Sequence, residues 1–182
     1  MFNIFGALNA NVDPISKLFG EWMADITIPS IIIRLFLACL FGGIVGIERS
    51  TKKHAAGLRT YILVCLGSTV AMITNEFITR SSGTGDGARL GAQVISGIGF
   101  LGAGTILVTS RNQIKGLTTA AGLWACGCMG LAIGHGFYTI GIAAGIIIFT
   151  VLSLITKFSV FFYKYRFIHC KLLAFYFHIH FK

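Results

Sequence analysis

The run from Arg89 to Val108 (RLGAQVISGIGFLGAGTILV) constrains this chain more than any other. It has the length of a bilayer crossing, since about 20 apolar residues span a hydrocarbon core of about 30 Å. Yet it is rich in glycine and opens on polar side chains. As a helix it places Arg89, Gln93 and Ser96 at i, i+4 and i+7 on one face, continued by Ala92, Gly99 and Ala103. A face carrying a cation and an amide is costly against acyl chains, so it is expected to turn into a bundle or a wet cavity. The small residues Gly97, Gly99, Gly102 and Gly104 would let neighbouring backbones come close there.

Composition places the whole chain in the same setting. Of 182 residues, 55% are hydrophobic and 12% charged, and the mean hydropathy is +0.81, too apolar for a soluble domain. The net charge of +9 does not point to nucleic acid, because the basic residues fall in short runs between apolar segments. Five cysteines, mostly inside apolar runs (Cys39, Cys65, Cys126, Cys128), suit small buried side chains and no disulfide framework. The first residues lack a basic stretch followed by a continuous apolar core, so no cleavable signal peptide is expected.

The pattern predicts an all-α transmembrane bundle of five spans, at about 27–47, 58–78, 89–108, 117–133 and 137–162. Residues 1–26 read as an interfacial arm broken near Pro14, and 163–182 as a basic, aromatic tail resting on anionic headgroups. Arg49, Lys52, Lys53, Arg59, Arg111, Lys115, Lys157, Lys164, Arg166, Lys171 and Lys182 then share one side, against Lys17, Arg80 and Arg89 on the other. That asymmetry predicts an amino terminus outside and a carboxyl terminus in the cytoplasm. Sliding the chain by 59 residues pairs Gly43 with Gly102, Gly57 with Gly116, and Arg34 with Gln93. A parallel repeat of two helical hairpins would put Arg34 and Gln93 at equal depth, facing a shared axis.

Arg34 is the most telling single residue. Inside an apolar run it needs a partner, and Glu76 and Asp86 are the candidates, whether for a functional site or for an ion pair fixing helix register. Arg34, Ala38, Gly42 and Gly46 share an i+4 stripe, a charge above a close-packing groove. Glu48, Arg49 and Arg59 cluster at the other membrane surface, where a Glu48–Arg59 pair would pin the hairpin or line a vestibule. Thr118 and Thr119 open the fourth span and would cap it, or its positive end would hold an anion. Cys126 and Cys128 diverge on a helix and His135 is isolated, so no metal site is expected. No catalytic arrangement, nucleotide motif or cofactor signature is present, and the chain does not read as an enzyme.

GIVGIERS (Gly43 to Ser50), AGLRT (Ala56 to Thr60), the block Arg89 to Gly104 and KGLTTAAGLW (Lys115 to Trp124) together resemble the MgtC/SapB family of bacterial inner-membrane proteins. The resemblance covers roughly Arg34 to Ile155. It implies a small polytopic protein associated with growth in low magnesium and, in pathogens, with survival inside macrophages. For the best-known member it implies inhibition of the F-type ATP synthase and an influence on phosphate uptake. By position it carries importance over to Glu48, Arg49, Arg59, Arg89, Gln93, Ser96, Thr118 and Thr119, although some members have Asn where Thr118 stands. Better-known members also carry a soluble carboxyl-terminal domain where this chain has its short basic tail. Two functions are therefore expected to compete. One is a non-enzymatic regulator binding another membrane protein, or a second copy, through its glycine-rich helices. The other is a small oligomeric ion transporter or channel for Mg²⁺ or phosphate.

Overall fold

The computed structural model describes residues 13–23, 25–52, 54–83, 86–108 and 113–155. The chain divides into two units, 1–148 and 149–182. A short helix, α1 (Pro14–Phe19), and a 3₁₀ turn, Glu21–Met23, precede the long helices α2 (Ile28–Thr51) and α3 (Leu58–Ser82). Then come α4 (Arg89–Ala103), a two-residue hairpin of β1 (Leu107–Val108) and β2 (Ile114–Lys115), α5 (Leu117–Gly134) and α6 (Tyr138–Thr150). In the second unit a π turn, Val151–Ile155, continues the chain. The basic tail and the first twelve residues of the arm lie outside the described residues.

Local chemistry sets the helix ends. Thr27 caps α2, its hydroxyl accepting from the Ser30 amide, with Pro29 in the first turn where its missing N–H costs nothing. Gly83 closes α3 in the left-handed conformation. Helices α2, α3 and α5 are each long and apolar enough to cross a membrane, and α6 makes up most of a shorter apolar helical stretch, Tyr138–Leu154. The protein is an all-α membrane bundle.

The third expected span is shorter than the sequence suggests. Helix α4 stops at Ala103, 15 residues and so about 22 Å long. Leu107 and Val108 instead pair antiparallel with Lys115 and Ile114. Gly102 and Gly104 weaken the helix, while β-branched Thr105, Ile106 and Val108 favour the extended chain. Gly116 (φ +94°) then turns the hairpin into α5, and a Cβ there would collide with the Thr105 carbonyl.

Small residues bring the backbones together around a central pair, α3 and α5. A Cβ on Gly130 would stand 2.5 Å from the Cys65 carbonyl, and Thr69 donates to the Gly130 carbonyl at 2.9 Å. Helix α2 flanks α3, with Gly46 so close that a Cβ would sit 2.8 Å from the Leu58 Cα; Gly42 meets Ile62 and Cys65. Helix α4 flanks α5 through Gly102, which meets Ala120. The 59-residue slide relates α2 to α4 and α3 to α5, and the packing follows that relation. It breaks at α6, whose Gly141 meets Ile133 of α5 and whose Gly145 meets Phe41 of α2. Among the described residues nothing equivalent covers α4. Arg34 is therefore buried while Gln93 is exposed, against the expectation that both face a shared axis.

Candidate functional site

Arg34 is wholly buried and saturated with partners. Its Nη1 donates to Glu76 Oε2 at 3.0 Å and to the Gly134 carbonyl at 2.9 Å. Its Nε donates to Tyr138 Oη at 3.2 Å and its Nη2 to the Met23 carbonyl at 3.3 Å. Gly136 (φ +86°) wraps the guanidinium so closely that a Cβ would lie 3.0 Å from Nη2. Glu76 in turn receives Arg80 at 2.6 Å, and Arg80 reaches Asp25 at 3.0 Å. One cation thus joins α2, α3, the α5–α6 turn, α6 and the segment before α2. With its donors directed at protein, Arg34 is a joint of the bundle. Of the two expected partners Glu76 meets it, whereas Asp86 accepts from the Ala88 amide at the start of α4.

Sequence reasoning missed the residues that complete this end. Tyr138 is buried, donates to the Met23 carbonyl at 3.0 Å and gives no signal in the sequence beyond its place after a Gly-His-Gly turn. Asp13, also buried, accepts from the Thr139 amide through both carboxylate oxygens at 3.3 and 3.1 Å, a charge set on the positive end of α6. Buried Asn75 accepts from the Leu90 amide at 3.3 Å and donates to the Gly87 carbonyl, holding the start of α4. An amide and an acid side by side, Asn75–Glu76, inside an apolar helix was the legible clue.

At the other end of α2, Glu48 pairs with Arg49 at 2.9 Å and with Lys52, one turn on. The expected Glu48–Arg59 pair does not form: Glu48 is held on its own helix and Arg59 is exposed at the start of α3. Arg49, 1% exposed, also donates from Nη1 to His54 Nε2 at 3.2 Å. Partial burial first, and the Arg49 charge second, push the His54 imidazole below its ordinary value, which keeps Nε2 free to accept. Thr118 and Thr119 do not cap α5, whose cap position is Gly116 without a side-chain bond. Thr119 is instead buried, its carbonyl accepting from Tyr61 Oη at 3.4 Å, and Thr118 is exposed.

Helix α4 presents three different faces. Gly91, Ile98 and Gly102 are buried toward the bundle. Val94, Gly97 and Leu101 line an open cavity of about 500 Å³ against α3. Arg89, Gln93, Ser96 and Phe100 form the third face, all exposed, with Phe100 at 85%. Added Cβ atoms at Gly97 and Gly99 would meet nothing within 4 Å, so these glycines do not pack within the chain as expected, and Gly104 meets only carbonyls of its own last turn.

The sequence profile of the MgtC family matches residues 35–161. Among curated relatives, the chain is 42% identical over 127 residues to YhiD of Escherichia coli (strain K12), to which magnesium transport is attributed, covering 67% of this chain and 59% of YhiD. It is 40% identical to SapB of Bacillus subtilis (strain 168), covering 65% and 52%. It is 42% identical to MgtC of Salmonella typhimurium (strain LT2), covering 64% and 48%. The chain thus spans about half to three fifths of the length of these relatives. No solved structure matches it. The match begins within α2, one residue after the buried Arg34, and runs through α6, so it includes Glu76, the α2–α3 loop and all of α4. The protein belongs to the MgtC family.

Proposed function

We propose that this chain is a non-enzymatic regulator of the bacterial cytoplasmic membrane, linked to adaptation to low magnesium. It acts by helix-to-helix binding to a membrane partner, such as an ATP synthase or a phosphate transporter. One observation carries the reading: the Arg89, Gln93, Ser96 and Phe100 face of α4 is uncovered among the described residues. Polar groups at membrane depth are expensive against lipid, and small neighbours such as Gly99 and Ala103 allow a second helix to approach. The name attached to YhiD supplies the magnesium link. The distribution of Lys and Arg supports an amino terminus outside and a carboxyl terminus inside.

A transporter remains the second reading, favoured by the name attached to YhiD and by the same polar face, which in an oligomer would line a path. Two measurements separate them. A photo-crosslinking side chain at Gln93, in cells grown at low magnesium, is expected to capture one other membrane protein and to lose it in Gly99→Leu. Saturable Mg²⁺ or phosphate flux in proteoliposomes, abolished by Gln93→Ala, would overturn regulation by binding. Arg34→Ala would not separate them, because Arg34 bonds Glu76, Tyr138 and the Gly134 and Met23 carbonyls, and its loss is expected to lower stability as well.

A further inference from the structure

The cavity between α3 and α4 has the dimensions of one leaflet. It runs from Arg59, in the first turn of α3, past Leu63 to Gly67, with Val94, Gly97 and Leu101 forming its other wall. From Arg59 to the far lining residue Ser68 is nine helical steps, hence about 13 Å, close to half of a core of about 30 Å. Its walls are almost wholly apolar, and its volume of about 500 Å³ falls within the range of small-molecule sites, about 300–1,000 Å³. The cation at the mouth is exposed, and among the described residues no carboxylate pairs with it. Arginine's planar fork suits a phosphate, and Lys115 is exposed at the same end of the bundle, whereas Lys52 there is paired with Glu48.

We propose that this groove binds one anionic phospholipid, its phosphate on Arg59 and an acyl chain lying between α3 and α4 down to Gly67. The absent side chains at Gly67 and Gly97 make the trough: an added Cβ at either would meet nothing within 4 Å. Filling it therefore leaves the fold intact, and leucine is the better helix former. The site lies on a different face of α4 from the one assigned to a protein partner, and it stands whether or not the regulator reading does.

The test is native mass spectrometry of the full chain released from micelles containing dioleoyl phosphatidylglycerol or dioleoyl phosphatidylcholine. Wild type is expected to retain one phosphatidylglycerol per chain, with about fivefold preference over phosphatidylcholine, the effect of one cation at an anionic surface. Arg59→Gln is expected to erase the preference and Arg59→Lys to keep it. Gly67→Leu and Gly97→Leu are expected to lower retention of both lipids while leaving the melting temperature unchanged. Equal retention of the two lipids by wild type overturns the headgroup assignment. Full retention in both leucine variants overturns the trough, as does a loss of self-association in those variants with lipid binding unaltered.

Discussion

Arg34 and Glu76 stand 42 positions apart in the chain and meet at 3.0 Å, the guanidinium wholly buried and the carboxylate side chain 9% exposed. Each also serves other partners, Arg34 the carbonyls of Gly134 and Met23 and the hydroxyl of Tyr138, Glu76 the guanidinium of Arg80. Removing one member leaves the other charged and buried. We predict that Arg34→Met costs about 3–5 kcal/mol, and that Arg34→Met with Glu76→Leu recovers part of the loss. Unfolding in mixed micelles, run as a double-mutant cycle, checks this. A cost below about 1 kcal/mol for the single variant would refute the joint.

Glycines that look alike in sequence should behave oppositely. Gly46→Ala and Gly130→Ala drive a methyl group into backbone atoms 2.5–2.8 Å away and should cost about 1–3 kcal/mol. Gly99→Ala enters open space and should be neutral or gain up to about 1 kcal/mol through helix propensity. Melting temperatures of the three variants in one detergent decide it, and equal losses would contradict the packing described.

Two helix starts depend on distant side chains. Asp13→Ala removes the acceptors of the Thr139 amide and Asn75→Ala that of Leu90, each expected to cost about 1 kcal/mol. Hydrogen exchange should quicken at Thr139 in the first variant and at Leu90 in the second. Unchanged exchange at both amides would mean that the caps hold nothing.

His54 makes the α2–α3 loop sensitive to acid. Its folded pKa lies below that of the unfolded chain, about 6.5, so the unfolded state binds the extra proton first. The loop's contribution is full above about pH 6.5 and is lost as pH falls toward the folded value. His54→Gln keeps an acceptor for Arg49 and should flatten stability between pH 7 and pH 5. The same slope in variant and wild type would place the dependence elsewhere.

Hydropathy, segment length and motif order were enough to read the membrane setting, three long helices and the family, though not the early end of α4 at Ala103. Long apolar runs have one stable form in a bilayer, where every backbone group must be satisfied within its own segment, so α2, α3 and α5 were legible from composition and length alone. A cation amid those runs announced Arg34 and narrowed its partner to Glu76 or Asp86, and the packing selects Glu76. Which polar residues turn inward was not legible, because it depends on packing between distant segments. Arg34 and Gln93 hold matching places in a 59-residue repeat, yet α6 and the segment at Met23 close over the first, while among the described residues no segment closes over the second. Periodicity fixes which residues share a helix face. Burial depends on what arrives from elsewhere in the chain, and Tyr138, more than 100 positions beyond Arg34, carries no local mark of that destination. The same reason separates Gly46, pressed against Leu58, from Gly97, which opens a trough.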